Sequence, residues 1–159
     1  MSNDATFEDG AEKPLQLVAA DEEDLQVISS VAQDAVFPIS EVAWRPQERR
    51  FAILLNRFRW EDAPNAEARN RPYERVRSVL TFEDATGVVS QGIDQNDKDL
   101  VFSILSIGFE PGEDGTGRIL VVLAGDGLIG VDVECLNVTL QDVTRPYIAP
   151  SKSMPQHPE

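Results

Sequence analysis

Nine of the chain's 14 basic residues are arginines between positions 45 and 77: Arg45, Arg49, Arg50, Arg57, Arg59, Arg69, Arg71, Arg75 and Arg77. Nine arginines against five acids leave that window at +4, inside a chain of net charge -14. Trp44, Phe58, Trp60 and Tyr73 are interleaved with them. A guanidinium presents a planar fork of donors to a carboxylate or phosphate, and arginine with tryptophan is the composition that dominates binding hot spots. An extended chain through this window sets Arg57 and Arg59 on one face and Phe58 and Trp60 on the other. Arg75 and Arg77 share a face two residues apart. If the two strands pair, four guanidinium groups converge. The candidate binding set is therefore Trp44, Arg45, Arg49, Arg50, Arg57, Arg59, Trp60, Arg75 and Arg77. The competing account pairs these arginines with the protein's own excess carboxylates, at roughly 0–1 kcal/mol for each exposed pair.

Other chemistries meet objections. Gly125-Asp126-Gly127-Leu128-Ile129-Gly130 spells G-x-G-x-x-G after an apolar run. A dinucleotide site needs a helix to begin within those glycines, whose N-terminus holds the pyrophosphate. Val131-Asp132-Val133-Glu134 alternates instead, so the glycines read as a hairpin turn. His157 is the only histidine and lies in a Pro-rich tail beside Met154 and Pro155, with nothing to position an imidazole as a base. Cys135 reads as a buried thiol in a strand, with Asp132 and Glu134 opposing thiolate formation. Asp94, Asp97 and Asp99 alternate as calcium ligands do, but the central glycine and distal glutamate are missing and Lys98 sits among them. No carboxylate pair is marked out for acid–base work. No catalytic residue, metal or cofactor is expected.

The elements that must carry these residues follow from periodicity. Asp21 is a good N-cap, Asp21 to Asp24 suit the positive end of a helix dipole, and Leu25, Ile28, Val31, Ala32 and Ala35 form one apolar stripe. This predicts a helix over 21–35, ended by Pro38. Beyond Pro38 the period is two. Strands are expected at 15–18, 40–45, 49–60, 74–82, 87–93, 100–109, 118–124 and 128–135, with 45–48 a turn and 61–72 a polar loop. The segments 74–82 and 87–93 read as one hairpin, 118–124 and 128–135 as another. The apolar phase shifts between Cys135 and Leu136, for which a β-bulge is the economical account. The expected fold is α+β: a mainly antiparallel sheet of about seven strands, curled toward a barrel or sandwich, with one N-terminal helix.

Residues 1–14 are acidic and nearly free of large apolar groups, and 149–159 are Pro-rich; both are expected to be disordered. The single globular domain is placed at 15–148, long enough to bury roughly 65–70% of its unfolded surface. The net charge opposes nucleic-acid and anionic-membrane binding. One cysteine, no apolar run approaching about 18 residues and no leader pattern suggest a cytoplasmic protein.

Three segments carry a family resemblance: Pro46-Gln47-Glu48-Arg49-Arg50-Phe51-Ala52-Ile53-Leu54-Leu55-Asn56-Arg57-Phe58-Arg59-Trp60-Glu61, Ser90-Gln91-Gly92-Ile93-Asp94, and Val133-Glu134-Cys135-Leu136. Together they resemble a bacterial family catalogued as domain of unknown function 2948, over about residues 15 to 145. That resemblance implies one bacterial domain and brings no activity with it. The residues favour a non-enzymatic interaction module that binds a protein partner through its Arg- and aromatic-rich face. The alternative is a binder or enzyme acting on a small anionic metabolite held by clustered arginines.

Overall fold

A computed structural model describes residues 14–148. The two expected tails, including His157, lie outside them except for Pro14. Strand β1 (Gln16–Ala19) leads into helix α1 (Glu22–Ala32). The Asp21 carboxylate accepts the Asp24 N–H at 2.8 Å, as the cap reading requires. The helix stops three residues short of its expected end. Asp34 turns left-handed (φ 65°), and Val36–Pro38 is a strand, β2, so Pro38 lies beyond the helix terminus in extended chain. A 3-10 turn (Ile39–Glu41) shortens the next strand to β3 (Val42–Arg45). Then follow β4 (Arg50–Phe58), a short helix α2 (Ala63–Ala68), β5 (Glu74–Phe82) and β6 (Ala85–Gln91). The chain continues through β7 (Val101–Pro111), β8 (Gly117–Leu123), β9 (Leu128–Val133), β10 (Val138–Asp142) and β11 (Tyr147–Ile148).

All strand pairs are antiparallel, in the order β1-β10-β5-β4-β2-β7-β8-β9-β6, with β11 added to β5 and β3 to β4. The α+β class and N-terminal helix are as the sequence indicates. The sheet has eleven strands rather than seven, and it does not close. One side of β4 pairs with β5 along its length. Its other side is shared: β3 takes residues 50–53, and β2 takes Asn56 and leads on to β7, β8, β9 and β6. Strand β6 then comes back to the start of β4, where Ala85 N–H donates to the Arg49 carbonyl at 2.9 Å. Between β3 and β6 no ladder forms.

The expected β5–β6 hairpin does not exist: β5 pairs with β4 and β10, β6 with β9. The linker's N–H groups go to distant carbonyls, Glu83 to Asn137 and Ala85 to Arg49. With those groups engaged elsewhere, Phe82 and Ala85 are both buried in different parts of the sheet. The expected bulge at Cys135 is likewise a crossing. Val133 pairs in the β9 ladders, Val138 pairs with Phe82, and the phase shifts because the chain changes strand neighbours in between. The Gly125 turn is as expected: β8 and β9 pair, and Gly125 and Asp126 both take positive φ. The loop expected over 61–72 contains α2.

One core lies between the halves. Phe51, Ile53 and Leu55 of β4 meet Phe82 and Leu80 of β5, Ile119 and Val121 of β8, and Leu25 and Ile28 of α1. Helix α1 docks on a bulge in β7, where the register shifts between Ile104 and Ser106. There the buried Ser29 hydroxyl accepts the Ile107 N–H at 2.9 Å. A buried donor left unmet costs about 1–3 kcal/mol. Ser29→Ala is therefore expected to lower the urea unfolding free energy by about that amount. Ser30→Ala, on the exposed face, should change it by under about 0.5 kcal/mol.

Candidate functional site

The inner face of β4 is apolar at Phe51, Ile53 and Leu55, and the next residue on that face is Arg57, fully buried. Its neighbours are also polar: Ser78 on β5 and Asp142 on β10, register partners of each other. Arg57 Nε donates to Ser78 Oγ (2.9 Å), and Nη2 to Asp142 Oδ1 (2.9 Å). Nη1 and Nη2 fork onto Glu61 Oε1 and Oε2 at 2.9 and 2.8 Å. Ser78 Oγ donates to Asp142 Oδ1 (2.6 Å), and Leu15 N–H to Asp142 Oδ2 (3.0 Å). Burial works against the Arg57 charge, but Glu61 and Asp142 outweigh it and hold its pKa above the usual guanidinium value. Every nitrogen of this guanidinium is engaged, so the cluster is a structural ion site.

Most other arginines of the window also end on the protein's own carboxylates. Arg59 meets Glu74 at 2.7 Å, and Arg71 forks onto both oxygens of Asp62 at 2.7 Å. Arg45 pairs with Glu48, Arg49 with Glu134 and Arg50 with Glu83, all with partly or fully exposed side chains. The four guanidiniums do not converge. In the β4–β5 register Arg57 pairs with Val76, on the core face, so Arg75 and Arg77 occupy the opposite face. Trp60 and Trp44 are far apart in role. Trp60 stacks edge-on against Phe58 (4.7 Å) and donates Nε1–H to the Gln33 carbonyl (2.9 Å), bracing the end of α1.

Trp44 instead lines a cleft of about 460 Å³ at the break between β3 and β6. Ile39, Val42 and Trp44 form one wall, Val88, Val89 and Ser90 of β6 the other, and Phe51 and Ile129 the buried floor. Ile93, Gln95 and Lys98 close one end. Lys98 is the one titratable side chain in the lining. Only Trp44 of the sequence-derived set is there. The β6 residues carry no charge cluster, and their period-two apolar pattern is indistinguishable from core; the charged 94–99 loop reads in sequence only as a failed calcium motif.

Cys135 departs from expectation. It is exposed, past the end of β9, and its thiol donates to Asp84 Oδ2 at 3.3 Å. That hydrogen bond, with Asp84 and Glu134 nearby, raises its pKa and disfavours the thiolate. Among the described residues no group of three or more His, Cys, Asp or Glu side chains is placed to hold a metal, and no helix is long and apolar enough to cross a membrane.

Two predictions follow from the ion pairs. Asp142→Ala removes the deeper of the two carboxylates that compensate the buried Arg57 and leaves the Ser78 hydroxyl and the Leu15 N–H without their acceptor, and should cost about 3–5 kcal/mol in chemical denaturation, whereas Arg45→Ala should cost under about 1 kcal/mol. The Asp62 carboxyl, held by Arg71 and attracted by Arg59, titrates below its usual range. Its contribution is complete above the unfolded pKa of about 3.9 and is lost as pH falls through the lower folded value. The stability gap between the wild type and Asp62→Asn should therefore be flat near neutrality and narrow only below about pH 4. A gap that widened on acidification would contradict this sign.

No curated protein and no solved structure matches the chain. A family model does: the one described as "Protein of unknown function (DUF2948)" matches residues 15–157, nearly the whole chain, and the protein belongs to that family.

Proposed function

We propose that this protein is a non-enzymatic interaction module that takes an extended polypeptide segment into the cleft between β3 and β6. The observation that carries the reading is that both walls are strand edges paired on one side only. An extended segment laid there gains main-chain hydrogen bonds from an edge and buries alternate side chains on the apolar floor. Trp44 supplies the large, rigid contact that anchors such interfaces. A lining with one titratable group, Lys98, offers no acid–base pair, which favours binding over catalysis.

Charge narrows the occupant. The loop that closes the cleft carries Asp94, Asp97 and Asp99 against Lys98, all exposed, on a chain of net charge -14. The segment favoured is apolar in alternate positions and flanked by lysine or arginine, since acidic flanks are repelled.

The test is selection from a displayed random-peptide library on the full chain. Selected peptides are expected to alternate apolar residues between basic flanks. Trp44→Ala should cost about 2 kcal/mol or more of their affinity. Val89→Asp, at a half-exposed position on the β6 wall, should weaken them without unfolding the protein. Failure to select any peptide, or peptides that bind both variants like the wild type, would remove the cleft as the binding face.

A further inference from the structure

The chain holds 28 acidic and 14 basic residues, so a cation has many carboxylates to choose from. Among the described residues Arg45, Arg49, Arg50, Arg57, Arg59, Arg71 and Arg118 form ion pairs with acidic side chains, and Arg69 is engaged as well. Arg75, Arg77 and Arg145 form none among the described residues, and these three belong to one place. Arg75 and Arg77 stand two apart on the outer face of β5. Strand β11 pairs with β5 at Tyr147↔Arg75. Arg145 lies in the short connection between β10 and β11, which runs past Arg77. The loop between β10 and β11 is fastened there: Val143 N–H donates to the Arg77 carbonyl (2.8 Å), and Arg77 N–H to Thr144 Oγ1 (3.0 Å).

The group is held in a specific form. Arg75 Nε and Nη2 donate to the Asn56 side-chain and main-chain oxygens at 2.6 and 3.0 Å, which leaves Nη1 uncommitted. Asn56 Nδ2 donates to the Tyr147 phenol oxygen (2.6 Å), so the Tyr147 O–H proton remains available as a donor. Arg75 is half-buried, and burial lowers its pKa with partial relief from Tyr147 and Asp34. A half-buried cation that forms no close ion pair among the described residues, and that the Asp34 carboxylate relieves only in part, is one that an exogenous anion can complete. Arg77 and Arg145 are exposed, one on the same face of β5 and the other in the β10–β11 connection.

From this geometry we infer a second binding site, formed by Arg75, Arg77, Arg145 and Tyr147, for the phosphate group of a small organic phosphate monoester. A carboxylate is satisfied by one guanidinium fork. Three guanidiniums and a phenol match the three acceptor oxygens and nearly double charge of a phosphate monoester. The site is separate from the β3–β6 cleft and stands whether or not that cleft binds peptide. Nucleic acid is the poorer fit, because three cations do not offset the repulsion between a polyanion and a chain of this charge.

The experiment titrates the full-length protein with glycerol phosphate and with inorganic phosphate at constant ionic strength, reading backbone amide shifts by NMR. Saturable shifts are expected at β5, β11 and residues 143–146, with glycerol phosphate bound at least as tightly as inorganic phosphate. Arg77→Ala and Arg145→Ala, both exposed and without ion pairs among the described residues, should each weaken binding about tenfold, the effect of losing one charge-assisted contact. Arg45→Ala, paired and elsewhere, should leave it unchanged. Absence of saturable shifts at β5 and β11 would overturn the site. So would unaltered affinity in the Arg77→Ala, Arg145→Ala double variant, or a single-stranded oligonucleotide that binds there more tightly than glycerol phosphate.

Discussion

Arg57 is a cation with no exposure to water, set on the face of β4 that builds the core, and the fold depends on meeting its charge where it stands. Moving an ion out of water costs several kcal/mol even after relaxation, so the Arg57 site is tolerable only with full compensation. Compensation comes from every direction: Ser78 on β5, Asp142 on β10, Glu61 just beyond β4. Asp142 also receives the Leu15 N–H, so the chain entering β1 is tied to the same point. The arrangement constrains register. A one-residue slip of β4 against β5 would carry Arg57 to the outer face and leave Asp142 in the core without its cation. Hydrophobic residues alone would penalise such a slip less sharply, because β4 has partly buried Ala52 and Leu54 on its outer side.

That constraint changes the meaning of the arginine-rich window. Arg57, Arg59 and Arg71 are spent on Asp142, Glu61, Glu74 and Asp62, and they fasten α2 and the segment around it to the ends of β4 and β5. Arg49 reaches Glu134, beyond the end of β9, and so helps hold the second half of the sheet near the start of β4. The positive stretch is largely an internal fastening for an acidic protein. What the fastening leaves over is an edge cleft with Trp44 and the cations on the outer face of β5.

Much of the local structure was legible from the sequence and little of the pairing was. The Asp21 cap, the α1 stripe and the switch to period two are short-range signals, fixed by backbone sterics and by which face a residue buries. The Gly125 turn was legible because positive φ selects its residues. Which strand a strand pairs with depends on carbonyls distant in sequence. Glu83 and Ala85 show this: their N–H groups meet Asn137 and Arg49, so a turn that resembled a hairpin sends the two strands apart. Short β2 and β11 were invisible, since three and two residues carry no period. At the candidate sites the residue types were found and their partners were not. Charge balance counted over a window, +4 in this case, does not reveal that Glu61 and Asp142 converge on one arginine from 85 positions apart in the case of Asp142.

The open seam has its own logic. Unpaired strand edges invite pairing with other chains, and natural sheets protect them with charge, proline, bulges or shortness. Strand β1, at one end of the sheet, is short at four residues. Strand β3, also four residues, ends in Arg45. Strand β6, Ala-Thr-Gly-Val-Val-Ser-Gln, contains no charge and no proline, and Val89 on it is about half exposed. Its protection is geometric: a register shift between Ala85 and Gly87 bends its start, and the aspartates of the following loop stand beside its end. A charge of -14 opposes the addition of further copies of this chain to that edge, because like-charged molecules repel. The same field would favour the basic segment proposed above over an acidic one. On the proposed reading, an uncharged edge beside an apolar floor is shielded by the protein's acidity from like-charged copies while it stays open to a basic segment, so that charge becomes part of how the seam would discriminate.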